Sequence, residues 1–160
     1  MRHLLLIGEY ELSIDEKNRL LIPSEIRKSM DPNRDGEAFF LVLGLNRKPW
    51  LYPQLLYEQM VFQERPEITP GEEQLAFDHV NFALASRIEM DSQGRLTIPE
   101  KTLRRTELQK EVTLIGARDH LEIWNRADWE VWREELVKRS AEIAIRAKKA
   151  RQTPGGESGR

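Results

Sequence analysis

The chain has 160 residues, a length that suits one domain or two very small ones sharing a core. Hydrophobic residues make up 39% and charged residues 32%, and no run approaches the ~18 apolar residues of a membrane span, so we expect no membrane partner. Cysteine is absent, which excludes disulfides and thiolate metal sites and suits a cytoplasmic protein.

The charge of the chain is nearly balanced but unevenly distributed. The net charge is −2, which counts modestly against a nucleic-acid binder. Residues 138–160 carry seven basic and two acidic side chains, a net of +5, so residues 1–137 carry −7. A DNA-binding face in the body of the chain must therefore be a local basic cluster.

In chain order, the first elements are a strand, a turn and a second strand. Residues 9–14 alternate polar and apolar, as in a half-buried strand. Asp15 can accept backbone N–H bonds and Asn18 tolerates positive φ, so residues 15–18 predict a tight turn. A strand over 19–22, a short helix over 24–28 and strands over 39–43 and 49–53 complete this half.

Helices are predicted between and after the halves. Helical spacing of apolar residues covers 54–62 and 72–84, and the second half repeats the first from 87 to 124. A last helix begins near Arg126 and reaches as far as Arg151, before a tail that is disordered by composition. These elements divide the chain into half 1 (8–53), a helical connector (54–84), half 2 (85–125), a C-terminal helix (126–151) and a tail (152–160).

An internal repeat is the most informative feature. With a shift of 76 residues, the run from Ile14 to Pro23 matches the run from Met90 to Pro99, and Asn18 stands opposite Gly94. With a shift of 72, Leu51-Tyr52 matches Ile123-Trp124. Solenoids need more copies, so two copies predict a paired pseudo-dimer.

The two Asp-x-x-[Asn/Gly]-Arg turns are the sharpest candidate site. One interpretation is purely structural, with Asp15 and Asp91 organising the turns and pairing with the arginines. The other is that Arg19 and Arg95 are aimed outward to contact phosphates or guanine in a DNA groove. Further basic residues nearby would enlarge the positive surface, namely Lys17, Arg27, Lys28, Lys101, Arg104 and Arg105.

These motifs resemble the MraZ family. The resemblance runs from about Gly8 to Lys138 and is carried by the two turn segments, by Trp50-Leu51-Tyr52-Pro53 and by Leu121-Glu122-Ile123-Trp124. It implies an α+β fold in which two tandem SpoVT/AbrB-like β-hairpin halves form a pseudo-dimeric, β-barrel-like core with flanking α-helices. The family consists of bacterial transcription regulators associated with the cell-division and cell-wall gene cluster.

The resemblance also implies partners and contact residues. It predicts a ring-shaped homo-oligomer on the promoter repeats of double-stranded DNA, in the cytoplasm at the nucleoid. Carried over by position, the contacts are Arg19 and Arg95, with Lys17 as a helper. The chain departs from the family in having Asn18 where glycine is usual and an apolar extension, Met1–Ile7. Gln93, opposite Lys17, leaves the second turn less positive.

Two other functions stay open on the sequence. One is an oligomeric protein-interaction module without promoter binding, and the other is a small barrel-type enzyme. We expect no enzyme, cofactor or metal, because no nucleophile–base pair, phosphate loop or metal-ligand spacing of the histidines is present. Asp119-His120 is interpreted as a plain loop.

Overall fold

The fold is described here from a computed structural model, which covers residues 3–152. The chain divides into two compact units after Arg126. The first unit contains eight strands among the described residues: β1 (Glu9–Ser13), β2 (Arg19–Leu21), β3 (Ala38–Leu43), β4 (Pro49–Pro53), β5 (Ser86–Glu89), β6 (Arg95–Thr97), β7 (Glu111–Gly116) and β8 (Leu121–Asn125).

Short helices connect these strands. They are α1 (Ser24–Ser29), α2 (Pro32–Asp35), α3 (Gln54–Phe62), α4 (Glu72–Asp78), which continues into a π-helical segment over His79–Ala83, and α5 (Glu100–Arg105). Helix α2 was not predicted. The sequence nonetheless contains the usual signals for a helix start. Asp31 caps the helix by accepting a hydrogen bond from the Asn33 N–H, and Pro32 occupies the first turn.

The repeat is reproduced element by element. A shift of 76 carries β2 onto β6 and α1 onto α5, and a shift of 72 carries β4 onto β8. The predicted mixed α+β class and the two-copy organisation are therefore confirmed.

Six strands form one antiparallel sheet in the order β1-β7-β8-β4-β3-β5. The order is symmetric about the β8–β4 seam, and each outer strand belongs to the opposite half from the strand it pairs with. The sheet ends at β1 and β5 and does not close, so the expectation of a barrel-like core is wrong in this respect.

Strands β2 and β6 form a separate two-stranded ribbon, in which Leu20 lies opposite Leu96. Both leucines are fully buried, as are Ile22 and Ile98, which follow them in the chain. These four side chains join the apolar core of the first unit. The ribbon is thus fastened to the core by one residue of each strand, which leaves the alternate residues facing outward.

The apolar extension before β1 is joined to the same core. Leu6 is buried and forms an isolated β-bridge with Arg118, with backbone bonds of 2.9 Å in both directions.

The two ends of the helical connector are joined by the Tyr57 hydroxyl, which donates to the carbonyl of Asn81 over 3.1 Å. Several of its apolar side chains remain exposed: Met60, Phe62, Ile68, Leu75, Phe77, Val80 and Phe82.

The second unit is helical over its described residues. The sequence predicted one helix here, and the structure has two, α6 (Arg126–Lys138) and α7 (Ser140–Gln152). The interruption at Arg139 is slight, because its N–H still donates to the Glu135 carbonyl and its own carbonyl accepts from Ile143. The predicted tail lies outside the described residues except for Gln152. Over residues 3–152, no helix has the length and apolar character needed to cross a bilayer.

Candidate nucleic-acid interface

The first turn is held by the Asp15 carboxylate. Its Oδ1 accepts from the backbone N–H of Lys17 at 2.9 Å and of Arg19 at 2.8 Å, and its Oδ2 accepts from Arg19 Nε at 2.7 Å. The Asn18 N–H donates to the Asp15 carbonyl at 3.0 Å, which closes the turn. The aspartate therefore fixes both the backbone of the turn and the direction of the arginine side chain.

The second turn repeats this arrangement bond by bond. Asp91 Oδ1 accepts from the N–H groups of Gln93 and Arg95, both at 2.9 Å, and Oδ2 accepts from Arg95 Nε at 2.8 Å. The Gly94 N–H donates to the Asp91 carbonyl at 3.0 Å. Two copies of one geometry thus hold two guanidinium groups.

Asn18 and Gly94 fill the left-handed position of each turn. Their φ angles are +62° and +81°, a region that asparagine and glycine tolerate best. At Gly94 the backbone is also crowded, since an added Cβ would lie 2.6 Å from Cδ of Arg27. The positive φ of the second turn therefore favours glycine, and a larger residue there would also have to displace the Arg27 side chain.

The hydrogen bonds of the turns alter the acidity of their aspartates. The backbone N–H of Arg19 is the largest contribution that lowers the pKa of Asp15, and the Arg19 side chain adds to it against a smaller effect of burial. The backbone N–H of Arg95 lowers the pKa of Asp91 in the same way. Both carboxylates therefore stay ionised at neutral pH and keep their arginines paired.

The arginine pairing uses only one edge of each guanidinium. Among the described residues, Nη1 and Nη2 of Arg19 and Arg95 form no hydrogen bond, and the two side chains are 29% and 27% exposed. An arginine fixed through Nε presents its two terminal nitrogens together, the fork that suits a phosphate or the O6 and N7 atoms of guanine.

The β2–β6 ribbon brings the two arginines onto one surface. Arg19 lies opposite Thr97 and Arg95 opposite Leu21, while the buried leucines between them point to the core. Since side chains alternate along a strand, both arginines lie on the outward face, about 7 Å apart along the ribbon axis. Leu21 and Thr97, which the sequence analysis did not single out, share this face.

Each turn is flanked by a strand end from the other half. The Ile98 N–H donates to the Asn18 carbonyl at 2.7 Å, and the Ile22 N–H donates to the Gly94 carbonyl at 2.9 Å. Helix α5 therefore begins beside the first turn and α1 beside the second. These two hydrogen bonds between the halves join them into one site.

The other predicted basic residues lie on the turns and on these two helices. Lys17 is exposed on the first turn, and Arg27 packs against Gly94 and donates from Nε to the Ile22 carbonyl at 2.9 Å. Exposed basic residues on the two helices are Lys28, Lys101, Arg104 and Arg105. Acidic residues also occur here, at Glu16, Glu25 and Glu100, so the positive charge is local.

The carboxylates of this region are not arranged for metal binding, and those of the turns are already hydrogen-bonded. Over residues 3–152 no three His, Asp or Glu side chains are grouped so that they could hold a metal ion. The ionised aspartates are occupied by their own turns. The arrangement suits the binding of an anionic polymer.

Comparison with known proteins identifies the family. The model described as "MraZ protein, putative antitoxin-like" matches residues 5–78 and 82–152. The protein named Transcriptional regulator MraZ of Pediococcus pentosaceus is 37% identical over 142 residues, which cover 88% of this chain and 94% of that protein. The proteins of the same name from Clostridium tetani and Heliobacterium modesticaldum are 31% and 32% identical, each over 88% of this chain and over 100% and 94% of their own lengths. The resemblance found in the sequence is thus confirmed, and the chain belongs to the MraZ family.

Proposed function

We propose that this chain is a sequence-specific DNA-binding transcription regulator that acts as a homo-oligomeric ring. The observation that carries the proposal is the common outward face of Arg19 and Arg95 on the β2–β6 ribbon. The names of its relatives, which are transcriptional regulators, support the same conclusion.

A two-stranded ribbon is one of the elements that the major groove of DNA admits. The major groove of B-form DNA is about 12 Å wide and admits a two-stranded β-ribbon. In this arrangement the outward arginines contact guanine or the backbone, while cations on the turns and helices contact flanking phosphates. Lys17, Arg27, Lys28 and Lys101 are assigned to this second role.

Assembly explains how a chain with net charge −2 binds DNA. One ribbon supplies few contacts, but several ribbons on a ring bind repeated promoter sites together through a high effective concentration. The exposed apolar side chains of the connector, such as Phe62 and Phe77, support contact between subunits. A ring seated on promoter repeats excludes polymerase, so we propose repression of a cell-division and cell-wall gene cluster.

The proposal places the protein in the cytoplasm at the nucleoid and requires no cofactor and no catalysis. The main alternative, an assembly module without promoter binding, also fits the apolar connector. It gives no role to the duplicated arginine forks, so we favour the regulator.

Binding of the purified protein to a duplex from its own upstream region tests the proposal. Fluorescence anisotropy should give specific binding that weakens steeply between 50 and 200 mM salt, because each neutralised phosphate releases counterions. Replacing both Arg19 and Arg95 by alanine should abolish specific binding while solution mass and circular dichroism stay unchanged. An intact oligomer that binds no upstream duplex would favour the assembly module.

A further inference from the structure

The outward face of the ribbon carries two side chains besides the arginines. Leu21 and Thr97 occupy equivalent positions in the repeat, and both are exposed. Each lies directly across the ribbon from the arginine of the other half, Leu21 from Arg95 and Thr97 from Arg19. The face is therefore a two-by-two array with one arginine and one smaller side chain in each row.

Leu21 is the apolar residue of this outward face. It is 46% exposed because its neighbours Leu20 and Ile22 point to the core and side chains alternate along the strand. Directly opposed residues of an antiparallel pair have Cβ atoms about 4.5–5.5 Å apart, so Leu21 stands beside the Arg95 side chain on this face. An apolar group next to a guanidinium on an exposed ribbon is suited to a ligand with both an apolar and a polar edge.

The edge of DNA bases in the major groove has this character. Guanine offers O6 and N7 to an arginine fork, and thymine offers a methyl group to an apolar side chain. Successive base pairs are about 3.4 Å apart, so a residue about 5 Å from an arginine reaches the neighbouring step.

We propose that Leu21 and Thr97 are specificity-determining residues that read the base pair beside each arginine contact. The inference rests on the proposed function. Leu21 packs on a thymine methyl beside the Arg95 contact, and Thr97 contacts its base through a hydroxyl and a methyl beside the Arg19 contact. Since the two residues differ, the two halves of one protomer prefer different base steps, although their arginine turns are the same.

Selection from a randomised duplex library tests this difference. The intact protein is compared with Leu21→Thr and Thr97→Leu, each of which copies into one half the residue that the other half already has at that position. Each substitution should change the preferred base at one position of the selected site and leave the guanine preference intact. An unchanged selected sequence in both variants would overturn the inference.

Replacing single thymines by uracil in the selected duplex tests the methyl contact. At one position the loss of the methyl should weaken binding about fourfold, which is the contribution of one buried methyl group. The variant Leu21→Ala should bind the two duplexes equally. Leu45→Ala is the matched control, because Leu45 is 97% exposed and lies in the turn between β3 and β4, and it should keep the fourfold difference.

The outcomes separate this inference from the proposed function. If the intact protein selects no sequence, the proposed function fails. If selection and dependence on Arg19 and Arg95 persist but Leu21→Ala keeps the uracil effect, only the inference fails. Solution mass of the variants is measured as well, and a smaller assembly would assign Leu21 to a subunit contact and overturn its role in reading DNA.

Discussion

The imidazole of His120 stacks on the indole of Trp50, with ring centroids 4.0 Å apart and 20° between the planes. His120 is buried, and its two nitrogens lie 2.8 Å from Asp119 Oδ1 and 2.9 Å from Glu122 Oε2. With a carboxylate at each nitrogen, the ring is best satisfied when it is doubly protonated. The loop predicted at Asp119-His120 is present between β7 and β8, and it holds a buried imidazole with a carboxylate at each nitrogen.

The repeat has a basic residue at the equivalent position of the first half. The shift of 72 places Lys48 opposite His120, and Lys48 Nζ lies 5.0 Å from the Trp124 ring. His120 lies 5.1 Å from Tyr52, the residue equivalent to Trp124. Each half thus sets a basic side chain against an aromatic ring of the other half across the β4–β8 seam.

The pairing of His120 across the β4–β8 seam should make stability depend on pH above about 6.5. Burial acts to lower the pKa of His120, but hydrogen bonds to Glu122 and Asp119 outweigh it and raise the pKa. A raised folded pKa gives stabilisation that is complete below the unfolded value of about 6.5 and is lost as pH rises through the folded value. Thermal unfolding should therefore show a falling Tm over that window.

Neighbouring groups do not counteract this trend. The pKa of Tyr52 is raised to about 12, chiefly by burial, so its hydroxyl stays neutral. Burial acts to raise the pKa of Glu122, but hydrogen bonds from His120, Trp124 and Asn46 outweigh it and lower the pKa. Glu122 thus adds stability above its unfolded pKa of about 4.3, which is lost in acid. Lys48 faces the Trp124 ring.

The variant His120→Gln tests the seam directly. It should lower the free energy of unfolding at pH 6 by about 1–3 kcal/mol, because buried Glu122 loses a charged donor, and it should flatten the fall in Tm above about pH 6.5. His79→Gln is the matched control, since His79 is exposed in the π-helical segment. A fall in Tm of equal size over the same pH range in His120→Gln would exclude the imidazolium as its source.

The left-handed positions of the two turns should respond differently to substitution. Gly94→Ala should cost about 1–3 kcal/mol in the free energy of unfolding, because alanine is strained at φ +81° and its Cβ meets Arg27. Asn18→Gly should change it by less than about 1 kcal/mol. Chemical denaturation measures both.

Truncation of Arg27 separates the two causes at Gly94. If crowding contributes, Arg27→Ala should recover part of the loss in Gly94→Ala, since the atoms nearest the new Cβ are removed. A full loss in the double variant would leave backbone strain as the only cause.

Local sequence was sufficient to predict the turns and most elements. Asp15 accepts its hydrogen bonds, and Asn18 takes its positive φ, within the five residues 15–19. The local pattern therefore determines the geometry of the turn directly. The shift of 76 predicts the same turn from Asp91 to Arg95, and the structure has it. Hydrogen bonds within one turn can be predicted from the sequence because both partners stand in the same short motif.

Pairing between the halves could not be predicted in this way. The repeat would also allow β1 to pair within its own half, yet it pairs with β7, and β5 pairs with β3. Nothing in the local pattern distinguishes these choices, because the alternating residues satisfy either partner. The common face of Arg19 and Arg95 depends on a further pairing between the halves, that of β2 with β6, so the sequence identified the residues but not their array.

The aspartates should matter for DNA binding through the arginines they orient. Asp91→Asn keeps an acceptor for the backbone bonds of the turn but loses the charge that fixes Arg95 Nε. We expect Arg95→Ala to weaken binding to the upstream duplex about tenfold or more, the effect of losing one guanine or phosphate fork. Asp91→Asn should weaken it less, because the cation remains but is no longer aimed.

A double-mutant cycle distinguishes orientation from simple charge. If Asp91 acts only by orienting Arg95, then Asp91→Asn should have no further effect in the Arg95→Ala background, yet it should keep its full effect in the Arg19→Ala background. Removal of a negative charge by itself should instead strengthen DNA binding in every background, because repulsion from phosphates falls. The two mechanisms therefore predict opposite signs for the same substitution, and tighter binding by Asp91→Asn in all three backgrounds would refute the orienting role.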